Sequence, residues 1–185
     1  MPTTLPRAVL ATHRAETLQF ASGSSTLGTV VAATSARGLV AILLGEDPAA
    51  LLEDLRSRLP GAHCEPASAG APWFAAVLAA VDGGGRADLL LDSRGSPFQQ
   101  RVWRGLRAIP AGTTRSYAQL ANDLGLPTAV RAVAGACARN PLAVVVPCHR
   151  VVRGDGRLGG YRWGLARKAA LLQRERTGAA SAAAS

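Results

Sequence analysis

Acidic residues are scarce in the second half of this chain. Of twelve Asp and Glu in 185 residues, only Asp123, Asp155 and Glu175 lie beyond residue 93. Cysteine is sparse too: Cys64, Cys137 and Cys148 are the three present. An odd, low count in a chain of this size excludes a disulfide framework and suits a reducing cytoplasm, the expected location. No C-x-x-C or H-x-x-x-H spacing occurs, so no zinc site is implied. No uninterrupted apolar run reaches the length of a membrane span, and the first sixteen residues lack the basic-then-apolar pattern of a secretory signal.

What is present is positive charge, unevenly placed. Residues 1–93 hold six Arg against nine acids, a balance of −3; residues 94–185 hold fourteen Arg and one Lys against three acids, a balance of +12. A GC-rich genome explains a preference for Arg over Lys. It does not explain the loss of acids from one half. The asymmetry points to a polyanionic partner, most simply nucleic acid.

Hydrophobic residues make up 48% of the chain, enough to bury a core in one domain or two small lobes. Residues 17–21, 25–33 and 37–44 read as strands broken by Ser-Gly-Ser and Ala36-Arg37-Gly38, an antiparallel meander. Asp47-Pro48 opens a helix with an apolar stripe of Leu51, Leu52, Leu55 and Leu59, closed by Pro60-Gly61. A loop over 61–71, a helix over 72–82 ended by Gly83-Gly84-Gly85, and a strand over 87–91 complete an α+β lobe at residues 1–92.

The polar break Asp92-Ser93-Arg94-Gly95 coincides with the charge switch and marks the domain boundary. From there the pattern is helical. Ser96 caps and Pro97 starts a helix to about residue 108, with Phe98, Val102 and Leu106 in one row. Ser116 caps a second helix ending at Gly125, and after the turn Gly125-Leu126-Pro127, Thr128 caps a third to about Arg139. Helix, short turn, helix is the spacing of a helix-turn-helix. Residues 93–178 thus form a mostly α lobe, and the Ala/Ser tail 179–185 is expected to be disordered.

Chemistry concentrates at Pro147-Cys148-His149-Arg150, which follows the apolar, strand-like run Leu142 to Val146. A Cys after such a run is often only a small buried hydrophobe. The polar His149-Arg150 pair directly behind it argues otherwise, because burying both requires partners. The thiolate is the reactive form, and a neighbouring His and many Arg would raise its fraction. Cys137, among small residues, reads as packing, and His63-Cys64 as part of an exposed loop.

The segments SPFQQRVWRGLRAIPAG, SYAQLA, RAVAGACARNPLAVVVPCHRVVRGDG and GGYRWGLARKAALLQRE, in this order between Ser96 and Glu175, resemble the O6-alkylguanine-DNA alkyltransferase family. They are closest to the C-terminal half of the Ada-type proteins. The N-terminal lobe resembles the family more loosely, through LVAILLGEDPAALLEDL. The resemblance implies an RNase H-like N-terminal lobe and a winged-helix-like C-terminal lobe. It implies direct-reversal DNA repair: in-line displacement in which Cys148 takes the alkyl group from guanine O6 in double-stranded DNA, with no cofactor and no metal. By position His149 acts as base through a water, Glu175 holds the far side of the imidazole, and Asn140 braces the turn carrying the cysteine. Tyr117 donates to the base ring, the backbone N–H of Arg162 donates to O6, and Tyr161 walls the pocket. Backbone carbonyls near Cys148 and Val151 accept from the exocyclic amine. The target nucleotide must be flipped out of the duplex. The helix from Thr128 lies in the minor groove, where Ala132, Gly135 and Ala136 allow close backbone approach and Arg131 fills the space left by the base. Many relatives carry Lys where this chain has Thr128, which removes one phosphate contact.

A thioether, unlike a thioester, is not cleaved by water under cell conditions, so single use is expected. The alternatives are a non-enzymatic lesion binder, which would lack Cys148; a cysteine hydrolase using Cys148, His149 and Glu175; and a fragment of an Ada-type regulator. The N-terminal Met and the length favour a stand-alone, monomeric repair protein with no membrane partner.

Overall fold

The computed structural model describes residues 16–83 and 89–183. Its first half is built on a four-stranded sheet. β1 (Thr17–Ser25), β2 (Gly28–Ser35) and β3 (Gly38–Gly45) form the expected antiparallel meander. β1 runs through the Ser-Gly-Ser read as a break, because Gly23 has no side chain and makes room for the Phe74 ring, 3.0 Å from where a Cβ would stand. α1 (Pro48–Arg58) starts as expected, with the Asp47 side chain accepting from the Ala49 N–H. Leu55 on α1, and Val77 and Val81 on α2 (Pro72–Val81), bury their side chains in the core.

Two expectations change here. The stretch 61–71 is not all loop: β4 (His63–Pro66) pairs parallel with β1, giving the sheet order β3-β2-β1-β4. His63 and Cys64 therefore sit on an edge strand. The strand expected at 87–91 lies partly outside the described residues. Its described end makes one parallel bridge, Leu91 to Leu39, rather than a strand.

The outer edge of β3 is where the two halves are joined. Ala33 of β2 opposes Ala41, but Thr34 opposes Leu39, so Val40 is an extra residue. This bulge lets both Leu39 and Ile42 turn their peptide groups outward. Leu39 bonds to the chain on either side of Leu91, and Ile42 donates its N–H to Pro141 O and accepts from Ala143 N–H.

The second half is helical. α3 (Pro97–Ala108) and α4 (Tyr117–Asp123) each begin with a complete capping box, Ser96 with Gln99 and Ser116 with Gln119. β5 (Arg115–Ser116) pairs parallel with β6 (Val151–Val152). α5 (Val130–Ala138) starts one residue later than expected. Ala129 occupies its N-cap without a side-chain bond, and Thr128 lies in the preceding turn. The turn between α4 and α5 is correspondingly longer than three residues. α6 (Leu165–Ala183) continues through most of the tail expected to be disordered, because alanine is the strongest helix former. Buried apolar residues of both halves form one continuous cluster, in which Ile42 and Leu43 of β3 join Val102, Leu106, Val133 and Leu171.

Candidate active site

The run Leu142 to Val146 is not a strand. Only Leu142 bridges to Ile42; the chain then coils. Val144 has φ 66°, a left-handed conformation that a β-branched residue adopts at a cost of roughly 1–3 kcal/mol. Val145 N–H donates back to Ala143 O (2.7 Å) and Cys148 N–H to Val146 O (2.8 Å), two three-residue turns in close succession. Packing fixes this strained path from outside. Ile42 O accepts from Ala143 N–H, and Asn140, with 0% of its surface exposed, staples it from within. Asn140 Oδ1 accepts from Leu142 N–H (2.9 Å), and its Nδ2 donates to Val146 O (2.7 Å) and to Cys148 Sγ (3.3 Å).

Cys148 opens a single 3-10 turn, Cys148–Arg150, and is 7% exposed. The turn points His149 and Arg150 inward to one acceptor on α6. His149 Nε2 lies 2.9 Å from Glu175 Oε1. A carboxylate only accepts, so the imidazole proton is on Nε2 and Nδ1 keeps its lone pair. Nδ1 is buried and has no hydrogen-bond partner among the described residues. Arg150 Nε and Nη2 both donate to the same carboxylate, at 2.8–3.1 Å, and Gly112 N–H adds a bond of 3.2 Å. Arg150 Nη1 donates to Ile109 O, which ties the assembly to the end of α3.

The electrostatics follow from this packing. Burial alone would raise the Glu175 carboxyl. The bonds from His149 and Arg150 outweigh it and bring the group down to about 2. Burial lowers His149 below its ordinary value in spite of Glu175, so the ring is neutral at pH 7 and can accept a proton. Burial also pushes the Cys148 thiol up. The Asn140 bond and the Lys168 charge pull the other way without overcoming it. This corrects the expectation that His149 and the surrounding arginines enrich the resting thiolate: the cation that acts on the sulfur is Lys168.

Sequence reasoning missed Lys168. It is fully buried, and its Nζ donates to Val151 O (2.6 Å) and Gly159 O (3.3 Å). The cue was available, because it is the only lysine beside twenty arginines. Its ammonium takes one lone pair of the Val151 carbonyl assigned above to the guanine amine, leaving the other. Arg150 was seen as needing partners, but its role in fixing Glu175 was not read. Cys137 is buried on α5, and burial followed by the nearby Cys148 raises its thiol to about 12, which suits the packing role expected of it.

Tyr117, the first residue of α4, packs its ring and hydroxyl 3.2 Å from where a Cβ on Gly159 would stand. Burial, followed by the thiols of Cys137 and Cys148, raises its pKa, so it is an uncharged donor. Tyr161 stands edge-on to His149 with ring centroids 6.4 Å apart, and Trp163 stacks edge-on behind it at 5.1 Å. The Tyr161 hydroxyl is buried with no partner among the described residues. The Arg162 side chain points away from this pocket to Asp54 of α1. Thr128, Arg131 and Ala132 are exposed, and Gly135 is half-buried. Thr128, Arg131 and Ala132 therefore face outward on and just ahead of α5.

A buried cysteine held by a stapled turn, backed by a neutral histidine and an ionised glutamate, beside a short helix with an open face, defines a thiol-nucleophile site on a small α+β scaffold. Residues 97–177 match the model of the 6-O-methylguanine DNA methyltransferase, DNA binding domain. The crystal structure of Mycobacterium tuberculosis OGT in complex with DNA superimposes with a TM-score of 0.72 at 36% identity, covering 87% of this chain and 93% of that one. The O6-methylguanine-DNA methyltransferase of Pyrococcus kodakaraensis gives 0.63 at 27% identity, over 85% and 98%. The bifunctional transcriptional activator/DNA repair enzyme Ada of Escherichia coli is 50% identical over 170 residues, 88% of this chain and 47% of Ada. The chain belongs to the O6-methylguanine-DNA methyltransferase family. It spans about half the length of the curated relatives it matches.

Proposed function

We propose that this protein repairs DNA by moving an alkyl group, methyl first of all, from O6 of a flipped-out guanine in duplex DNA to Cys148, once per molecule. The Cys148 Sγ–alkyl carbon bond forms as the carbon–O6 bond breaks. The electron pair goes to the guanine ring, and the thiol proton passes to His149 Nδ1 through a water. Glu175 holds Nε2–H and stabilises the imidazolium. Tyr117 and the Arg162 N–H serve as donors to the departing base. Arg131, Ala132 and Gly135 on α5 face the minor groove, with Thr128 just ahead of the helix. Asn140 keeps the sulfur in line. The observation that carries this reading is the hydrogen-bonded series Cys148–Asn140 and His149–Glu175 in a half of the chain with a balance of +12.

On the same reading residues 1–92 form an RNase H-like lobe and 93–178 a winged-helix-like lobe, in a cytoplasmic monomer. Among the described residues no helix is long and apolar enough to cross a membrane.

Intact-mass measurement after mixing with excess duplex containing O6-methylguanine tests the proposal. One methyl per protein, placed on Cys148 by peptide mapping and lost in Cys148→Ser, is expected. An unmodified protein, or continued turnover past one equivalent, would refute it.

A further inference from the structure

The segment Gly159 to Gly164 carries Tyr161 and Trp163 past His149, yet it belongs to no helix or strand and is flanked by glycines. Glycine supplies no side chain to hold such a segment. The segment's Arg162 side chain lines a cavity of 270 Å³ between the halves, together with Arg58, Trp103, Arg139 and Pro141 among others. Trp163 is seated in the core, while Arg162 beside it opens onto this cavity. Ionic contacts to the first half of the chain span the gap there. Arg162 Nη2 donates to Asp54 at 3.0 and 3.4 Å, across 108 residues of sequence. Five residues on, Arg167 donates to Leu27 O (2.6 Å), to Glu46 and to Trp163 O (2.9 Å).

We infer that Asp54, supported by Glu46, is a positioning residue: the N-terminal half holds the pocket wall in register with the thiol through these carboxylates. The inference rests on the reading of the pocket proposed above. Asp54 also takes Arg58 Nε at 3.0 Å, so it pairs with two of the four arginines around the cavity, the others being Arg94 and Arg139. Without it, Arg162 and Arg58 lose their shared counter-ion beside Arg139, whereas Arg94 keeps Asp92 and Glu16, so the wall is repelled as well as released. A half-exposed ion pair adds little to global stability. Trp163 in the core and Lys168 Nζ on Gly159 O anchor the segment on either side of Arg162, and the Asp54 pair fixes the Arg162 side chain between them, so it weighs on the local position of that residue.

The test is single-turnover transfer from O6-methylguanine duplex, alongside hydrogen exchange of the 159–164 amides. In Asp54→Ala the transfer rate at saturating DNA should fall about fivefold, the loss expected for one ion pair. Affinity for undamaged duplex should hold or rise, and exchange over 159–164 should quicken. Asp54→Asn, which keeps the shape without the charge, should behave like Asp54→Ala, while Asp54→Glu should retain both rate and protection; a merely steric role would give the reverse order. Unchanged exchange in Asp54→Ala, or a transfer rate equal to the parent, would overturn the inference. If the parent transfers nothing, the proposed function fails, and exchange alone decides the tether: faster exchange supports it, unchanged exchange removes it.

Discussion

Glu175 collects more donors than any other carboxylate near the sulfur: the imidazole, two guanidinium nitrogens and a backbone amide. That concentration makes it a stability element as well as the orienter of His149. Its folded pKa of about 2 lies below its ordinary 4.5, so its contribution is fully present above pH 4.5 and is lost as the pH falls toward 2. Glu175→Gln leaves Arg150 and His149 buried without their anion. It should cost roughly 2–4 kcal/mol at pH 7, and the gap to the parent should close as pH drops through that window in a series of denaturant titrations. Lys168 acts on the sulfur with the opposite sign. Its charge pulls the thiol pKa down, so Lys168→Met should move the midpoint of Cys148 alkylation by iodoacetamide to higher pH, while Lys168→Arg should move it less. Cys148, His149 and Glu175 were legible in the sequence as candidates, since each is a reactive residue type on a family motif. Lys168 and Arg150 were not. Whether a long cation is buried depends on carbonyls such as Val151 O and Ile109 O, which only the folded chain brings together.

At the scale of elements, signals local to a few residues read through. The capping boxes at Ser96 and Ser116 and the proline at the start of α1 are each decided within one turn of helix. Elements held by distant main-chain partners did not read through. β4 is His-Cys-Glu-Pro, with neither alternation nor β-branched residues, and it exists because β1 offers a free edge. The run of three valines before Pro147 suggests a strand, but docking on Ile42 and the Asn140 staple force it into turns, one valine at positive φ. α5 allows a direct test of element and function together. A Cβ on Gly135 would meet only the movable Arg139 guanidinium, at 3.1 Å. Gly135→Ala should therefore leave thermal stability unchanged or raise it by up to about 1 kcal/mol through helix propensity. If this face enters the minor groove, the same change should weaken duplex binding measurably in a fluorescence titration. Equal affinity for both forms would remove Gly135 from the interface.

The whole molecule is an electrical dipole, with −3 on residues 1–93 and +12 on 94–185. Internal pairing uses part of the positive half. Arg150 is committed to Glu175, Arg162 to Asp54 and Arg167 to Glu46. The last two pairs also place acids of the first half against cations of the second, which strengthens the join while leaving the α5 face basic. Arg131 stands there exposed, and among the described residues the Arg139 side chain bonds the Gly135 carbonyl of its own helix. Duplex binding should then be dominated by counterion release from a few phosphates. With about four to six contacts, affinity should fall roughly 10²- to 10³-fold between 50 and 200 mM salt. Introducing a lysine just ahead of α5, by Thr128→Lys, should steepen the log–log slope by about one phosphate's worth, near 0.9. It should raise affinity for damaged and undamaged duplex alike, because a phosphate contact carries no base information. An added charge on the acidic half, such as Glu53→Lys on the exposed side of α1, should leave the slope almost unchanged if the duplex lies on the second half alone. A slope that responds equally to both substitutions would mean that DNA contacts both halves, and the assignment of binding to residues 94–185 would have to be abandoned.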